Sequence, residues 1–307
     1  MSGRRAARLS LAMLVGGLGV TARAHAQFPP TTRCAVGIPE SETSGYVPLP
    51  RGDVFCPLLA DPKGQRSFVS YLRETGDESL DIGSVGISDA LGLFRFGGST
   101  PGNGFQVSLA GSVFAQFDLD VSSYDLINAD YVIGLPITMR AGGFSARVRL
   151  YHQSSHIGDE YLLREDNPDI ERENLSYESA EAIISFDRAA FRIYGGGEYL
   201  LRRDPPDLER SVLHGGIELR PGRRLVSFGS VAGVRFVAAG DVKSSEQQDW
   251  KPTVSVRTGF EFDRPRDTEP PGRRWGLLFE FYDGPSPYGQ FFRRDVRQYG
   301  AGIHFTL

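Results

Sequence analysis

No run of about 18 uninterrupted apolar residues occurs in the sequence, so helical membrane spans are excluded. Cysteine is scarce. Only Cys34 and Cys56 are present, with no nearby histidines, which argues against a zinc site and suits a single disulfide in an oxidising compartment. An excess of basic charge is also missing. Four of the 34 Lys+Arg (Arg4, Arg5, Arg8 and Arg23) fall in the first 26 positions, which hold no acidic residue; the remaining 30 face 38 Asp+Glu, a balance of −8. A nucleic-acid partner, which needs a basic footprint to displace counterions, is therefore not expected. The 37 glycines follow no period, which removes a collagen-like chain. Eleven per cent of the residues are aromatic, too many for a solvated polymer. Glycine together with 20 Phe and 12 Tyr points to a β-rich protein with tight turns.

The N-terminus carries an export pattern. A basic start is followed by the short apolar stretch Leu9 to Val20 and by Ala24-His25-Ala26, which predicts a signal peptide over residues 1–26. Residues 27–65 are rich in Pro, Gly, Ser and Thr and read as an irregular periplasmic lead-in. From 66 to 307 the pattern changes to alternation. Phe105, Val107, Leu109, Val113 and Phe117 share one face against Gln106, Ser108, Ser112, Gln116 and Asp118. Ile127, Ala129, Tyr131, Ile133, Leu135, Ile137 and Met139 repeat it. Period two at this length is a strand signal.

About twelve such segments begin near 66, 82, 104, 126, 143, 175, 190, 210, 224, 250, 273 and 296. An even number of long strands predicts an all-β, transmembrane antiparallel outer-membrane β-barrel. Arg140 to Gly143, Arg188 to Ala190 and Pro221-Gly222-Arg223 read as tight periplasmic turns; Arg264 to Gly272, also periplasmic on this count, is long and proline-rich. The connections near 119–125, 164–174, 241–249 and 284–295 are longer and fall on the extracellular side. Arg147, Arg149, Glu181, Arg192, Glu198, Glu218, Arg235, Arg257, Glu261 and Glu280 take the face opposite the apolar one, which predicts a charge lattice inside the lumen. Tyr299, Ala301, Ile303, Phe305 and Leu307 alternate to the end, as in a terminal strand read by barrel-assembly machinery. The expected location is the outer membrane of a Gram-negative bacterium, after cleavage of the signal peptide.

One constellation carries chemistry. Phe144, Ala146, Val148 and Leu150 share the lipid-facing parity, and His152, Ser154 and His156 continue it toward the extracellular end. Residues i and i+2 of a strand stand about 6.6 Å apart on one face, so imidazole and hydroxyl are within reach of each other. His152 is then the general base, Ser154 the nucleophile and Glu178, on the returning strand, the acid that orients the imidazole. Asn174 is the second choice for that role. The oxyanion donor is either the Gly158 backbone or a bound cation. Asp159 and Glu160 are of the type that takes calcium near lipid head groups; no other cofactor is expected. His152 and His156 lie about 13 Å apart on a strand, too far to share one zinc ion.

His152-Gln153-Ser154 at the outer end of a lipid-facing strand resembles the site of outer-membrane phospholipase A and the lipid A deacylases, with Ser155 where those families usually have Asn. Over the whole chain, Phe55-Cys56-Pro57-Leu58-Leu59-Ala60-Asp61-Pro62 and Tyr151-His152-Gln153-Ser154-Ser155-His156-Ile157-Gly158-Asp159-Glu160-Tyr161 resemble the bacterial exported family catalogued as domain of unknown function 1207. The first resemblance implies hydrolysis of an acyl ester in outer-membrane lipid; the second implies export and a barrel. The alternative is a non-enzymatic barrel, either a narrow channel or a structural membrane protein. The sequence does not set the oligomeric state.

Overall fold

A computed structural model describes residue 38 and residues 44–76, 79–100, 102–164, 172–222, 224–228, 232–263 and 274–306. The signal peptide, Cys34 with its expected bridge to Cys56, and the whole Arg264 to Gly272 connection lie outside the described residues. Strands dominate: β1 (Gly45–Pro48), β2 (Ser67–Thr75), β3 (Leu80–Gly97), β4 (Gly104–Asp118), β5 (Leu126–Ala141), β6 (Phe144–Ile157), β7 (Ser176–Arg188), β8 (Phe191–Asp204), β9 (Ser211–Leu219), β10 (Val226–Phe228), β11 (Ala232–Ser245), β12 (Pro252–Asp263), β13 (Arg274–Pro285) and β14 (Asp295–Thr306). A four-residue helix, α1 (Asp159–Leu162), follows β6. No helix among the described residues is long and apolar enough to cross a membrane.

Pairing is antiparallel throughout, and β2 meets both β14 and β3, so the sheet closes on itself as a barrel of twelve wall strands. The alternation read in the sequence has its physical cause in this closure. Ile133, Leu135, Ile137, Val148, Leu150, Ile184 and Ile193 stand exposed on the outside, where lipid replaces water. Their polar neighbours point inward and are buried. Tyr71, Tyr131, Tyr199 and Tyr299 are exposed toward the extracellular ends of their strands. Phe96 pairs with Phe105, Phe144 with Phe186 and Trp275 with Phe305 at the opposite ends. The two aromatic levels mark the interfaces of the hydrocarbon layer.

Eleven of the twelve expected strand starts fall within two residues of the observed ones. The exception is instructive. Pro221-Gly222-Arg223 is not the turn into the next wall strand, because β9 and β10 both run antiparallel to β11 and together form one interrupted strand. Arg220 turns inward at the interruption to meet Glu218 at 3.2 Å and Glu261 at 3.1 Å. The chain therefore reverses only between Phe228 and Ala232, and the next wall strand starts at Ala232 rather than near 224.

A second interruption is larger. β1 and β2 both pair with β3 and run in the same direction along it, β1 against Phe94 to Gly97 and β2 against Leu80 to Gly86. Between them the chain leaves the wall and fills the lumen. Val54, Phe55, Cys56, Leu58, Leu59, Ala60 and Asp61 are at most 3% exposed. The expected irregular lead-in is thus irregular from Pro50 to Arg66, but that part stands inside the barrel rather than outside it. Its non-alternating apolar residues pack on lumen-facing side chains: Leu59 and Ala60 on Val237, Ala239 and Leu278, and Phe55 and Leu58 on Ile183 and Tyr194. The Phe55 ring also lies between the guanidinium groups of Arg147 and Arg192, at 5.0 and 4.7 Å.

The extracellular connections are tied down by charge. Arg164, beyond α1, reaches Asp118 at 2.6 Å, and its Nε donates to Asp125 at 2.8 Å. The Ser123 hydroxyl and Arg164 together hold the Asp125 carboxyl below the usual carboxylate range. A depressed folded value means that the clasp is complete above about pH 4, the unfolded value, and is lost as pH falls through the lower folded value. Protection of the Arg164 Nε proton relative to its intrinsic exchange rate should therefore be high at pH 6 and be lost as the pH falls below the unfolded carboxylate value, as read by NMR of the protein in micelles. A pH-independent exchange rate, after correction for intrinsic exchange, would contradict this clasp.

Candidate functional site

The lipid-facing constellation is partly assembled. In β6, His152, Ser154 and His156 point outward while Tyr151, Gln153 and Ser155 are buried in the lumen. The register sets His152 opposite Glu178 and Ser154 opposite Ser176. His152 Nδ1 lies 3.2 Å from Glu178 Oε1, with both side chains close to half exposed on the barrel exterior. Ser154 pairs on its other side with Tyr131, which places it at the outer aromatic level. Its hydroxyl and the second imidazole nitrogen of His152 have no hydrogen-bond partner among the described residues, and no bond joins the two. The structure thus brings His152 and Glu178 into contact and leaves Ser154 two residues along the same face.

The other expected contributors fall elsewhere. Asn174 precedes β7 and donates to Asp204 at 2.6 Å, so it is committed away from His152. The Gly158 amide donates to Ile127 O at 3.1 Å and is not free to serve an oxyanion. Asp159 and Glu160 are exposed at the start of α1. His156 meets the Tyr131 ring edge-on at 5.7 Å.

Inside the barrel, the predicted charge lattice is present. Glu181 accepts from Arg147 at 2.9 Å and from Arg149 at 2.8 Å, and Glu280 from Arg257 at 2.8 Å and from His304 Nε2 at 3.0 Å. What the sequence reading missed is that this lattice grips the plug. Leu59 N donates to Glu218 at 2.7 Å. Arg140 donates to Val54 O at 2.7 Å, Arg192 to Cys56 O at 3.1 Å, and Arg257 to the carbonyls of Leu59 and Asp61 at 3.1 Å. The available signal was Val54 to Ala60, an apolar stretch that does not alternate and so belongs to no wall strand.

At the top of the plug, Asp61, His214 and Asp241 form the one group of buried ligand-type side chains among the described residues whose donor atoms lie within 4.8 Å of one another. Lys243 reaches Asp61 at 2.8 Å, while Asp241 is met by His214 Nε2 at 2.7 Å and by the Tyr194 hydroxyl. Each carboxylate is therefore matched by a donor of the protein itself. The cluster fastens the plug tip to β9 and β11.

Comparison with known proteins bears out the architecture. The family described as "Protein of unknown function (DUF1207)" matches residues 25–307. No curated protein matches the chain. Outer membrane phospholipase A from Escherichia coli is similar in structure, with a TM-score of 0.51 and 12% identity over 79% of this chain and 90% of that one. The Salmonella typhi outer membrane phospholipase dimer with bound calcium gives a TM-score of 0.51 and 14% identity over 81% and 93%. At such identities the likeness is one of fold: a twelve-stranded antiparallel barrel of the Gram-negative outer membrane.

Proposed function

The chain belongs to that family of unknown function, DUF1207, and from this premise we propose that it is an outer-membrane hydrolase of lipid acyl esters. The observation that carries the reading is the contact of His152 Nδ1 with Glu178 Oε1 on the barrel exterior, beside an unpartnered Ser154 at the outer aromatic level. Polar side chains on a lipid-facing wall are disfavoured by desolvation, so their grouping at one point of the rim asks for a use. An acyl ester lies just beneath the head groups, at the depth of Tyr131, and meets this wall without leaving the bilayer.

In the proposed reaction, Ser154 Oγ attacks the acyl carbonyl as its proton passes to His152 Nε2, while Glu178 holds Nδ1–H and the charge that develops on the ring. Collapse of the tetrahedral species expels the alcohol half of the ester, which takes the proton from His152. Water, deprotonated by the same imidazole, then attacks the acyl-serine and releases the fatty acid. With the Gly158 amide engaged, a bound cation is the remaining alternative for stabilising the oxyanion, and Asp159 and Glu160 are the nearby acidic pair. The plug supports a blocked lumen, which disfavours the narrow-channel alternative and leaves a structural barrel as the competing reading.

The test is fatty-acid release, by mass spectrometry, from phospholipid and lipid A in mixed micelles with the purified barrel, with calcium and with a chelator. Release by the parent and its loss in Ser154→Ala is the expected result. A folded parent that releases nothing from either lipid under both conditions would leave the structural reading in its place.

A further inference from the structure

Above the plug the lumen retains a cavity of about 220 Å³. Asp61, Pro62 and Lys63 form its floor, and Glu209, Gln247 and Pro287 from the extracellular connections line its mouth. It faces the outside of the cell and ends on the plug.

Apart from the exposed Glu209 at the mouth and the Nε of Arg149, the charged groups on its wall are already committed. Lys63 pairs with Asp130, Lys243 with Asp61 and Arg149 with Glu181; Asp241 is held by His214 and Tyr194, and Glu198 accepts the Tyr151 hydroxyl. Of the neutral lining groups, the deeply placed Gln153 and Ser255 are not committed. Gln153 is 4% exposed and Ser255 is 5% exposed, both line the cavity, and neither side chain has a hydrogen-bond partner among the described residues. The polar atoms of both side chains open onto the cavity, where an occupant can supply a donor and an acceptor to the Gln153 amide and a partner to the Ser255 hydroxyl. Beside Gln153, the Tyr151 and Tyr177 rings meet at 70° with centroids 6.1 Å apart. They add flat apolar surface next to the unpaired amide.

We infer that this pocket is a binding site for a small uncharged polyhydroxylated solute of monosaccharide size, hydrogen-bonded by Gln153 and Ser255 and packed against Tyr177. An ionic ligand is disfavoured at the floor, where a new charge would have to break the Asp61–Lys243 or the Lys63–Asp130 pair. The volume equals that of roughly seven waters, which suits a single sugar ring. The site is separate from the exterior serine and does not rest on it, since Gln153 and Ser154 lie on opposite faces of β6.

The experiment is calorimetric titration of the full barrel, in an amine-oxide detergent that carries no sugar. The ligands are a panel of neutral hexoses and their methyl glycosides, with glucosamine and glucose 6-phosphate as charged counterparts. Saturable binding of at least one neutral sugar is expected, with the charged analogues at least about tenfold weaker. Gln153→Leu and Ser255→Ala should each weaken binding by about tenfold or more, while Ser154→Ala should bind as the parent does. Folding of each variant is checked by heat-modifiable migration. Failure of every neutral sugar to saturate the folded parent would overturn the inference. So would tighter binding of a charged analogue, or undiminished binding by both pocket variants.

Discussion

Fatty-acid release by the Ser154→Ala protein is expected to fall at least about a thousandfold below the parent, to the rate of lipid held against the wall without a nucleophile. His152→Ala should lose about as much, because an activated hydroxyl and its base act as one unit. The double variant should then be no worse than either single one. Glu178→Ala should lose less, since it orients the imidazole without exchanging a proton with substrate. The residues sit on the exterior and make no lumen contact, so all of these variants should insert and migrate as the parent. A Glu178→Ala loss exceeding that of Ser154→Ala, or additive losses in the double variant, would contradict the assignment of roles.

The second large effect concerns stability. Glu218 is fully buried, accepts the Leu59 amide of the plug at 2.7 Å, and faces Arg220 at 3.2 Å and Arg192 at 3.7 Å. Glu218→Ala leaves the 2%-exposed Arg192 without its carboxylate and strips the plug of an acceptor. Removing one partner of a buried pair costs about 3–5 kcal/mol, mostly because the other charge stays behind. The midpoint of urea unfolding in micelles should drop accordingly. Glu218→Gln should recover part of the loss, since its amide oxygen still accepts from Leu59. Equal midpoints for parent and Glu218→Ala would show that the plug is not held there.

Much of this architecture was legible in the sequence, for a definite reason. A barrel wall has lipid on one side and a polar lumen on the other, so every strand writes its register as period two. Ile133 and Val148 could be placed outside, and Arg147 and Glu181 inside, from parity alone. The pairing of His152 with Glu178 was legible for the same reason, because parity together with one turn fixes which residues share a face. The plug was not. Leu58 and Leu59 are both fully buried with no alternation, since an irregular segment surrounded on all sides has no preferred face to record. Arg220 was missed differently: Pro221 and Gly222 carry turn chemistry, yet they fall where the wall strand is interrupted between β9 and β10 rather than at its reversal. Whether Gln153 would have partners depended on how far the plug climbs the lumen, which no local pattern states.

The position of the plug between β1 and β2 bears on the order of assembly. The seam that closes the cylinder joins Ser67 to Phe305, the two ends of the chain in the barrel proper, and the plug is covalently tied to the first of these. Joining such distant residues is the slowest step for a chain to complete by chance encounter, so this seam is the natural last one. The preceding eighteen residues, Leu49 to Arg66, must then be threaded inward before the ends zip together. The plug supplies the carbonyls that receive the donors of Arg140, Arg192 and Arg257, so a wall closed without it would leave those buried donors unmet. Closure of the wall and filling of the interior are in this way coupled through the N-terminal edge.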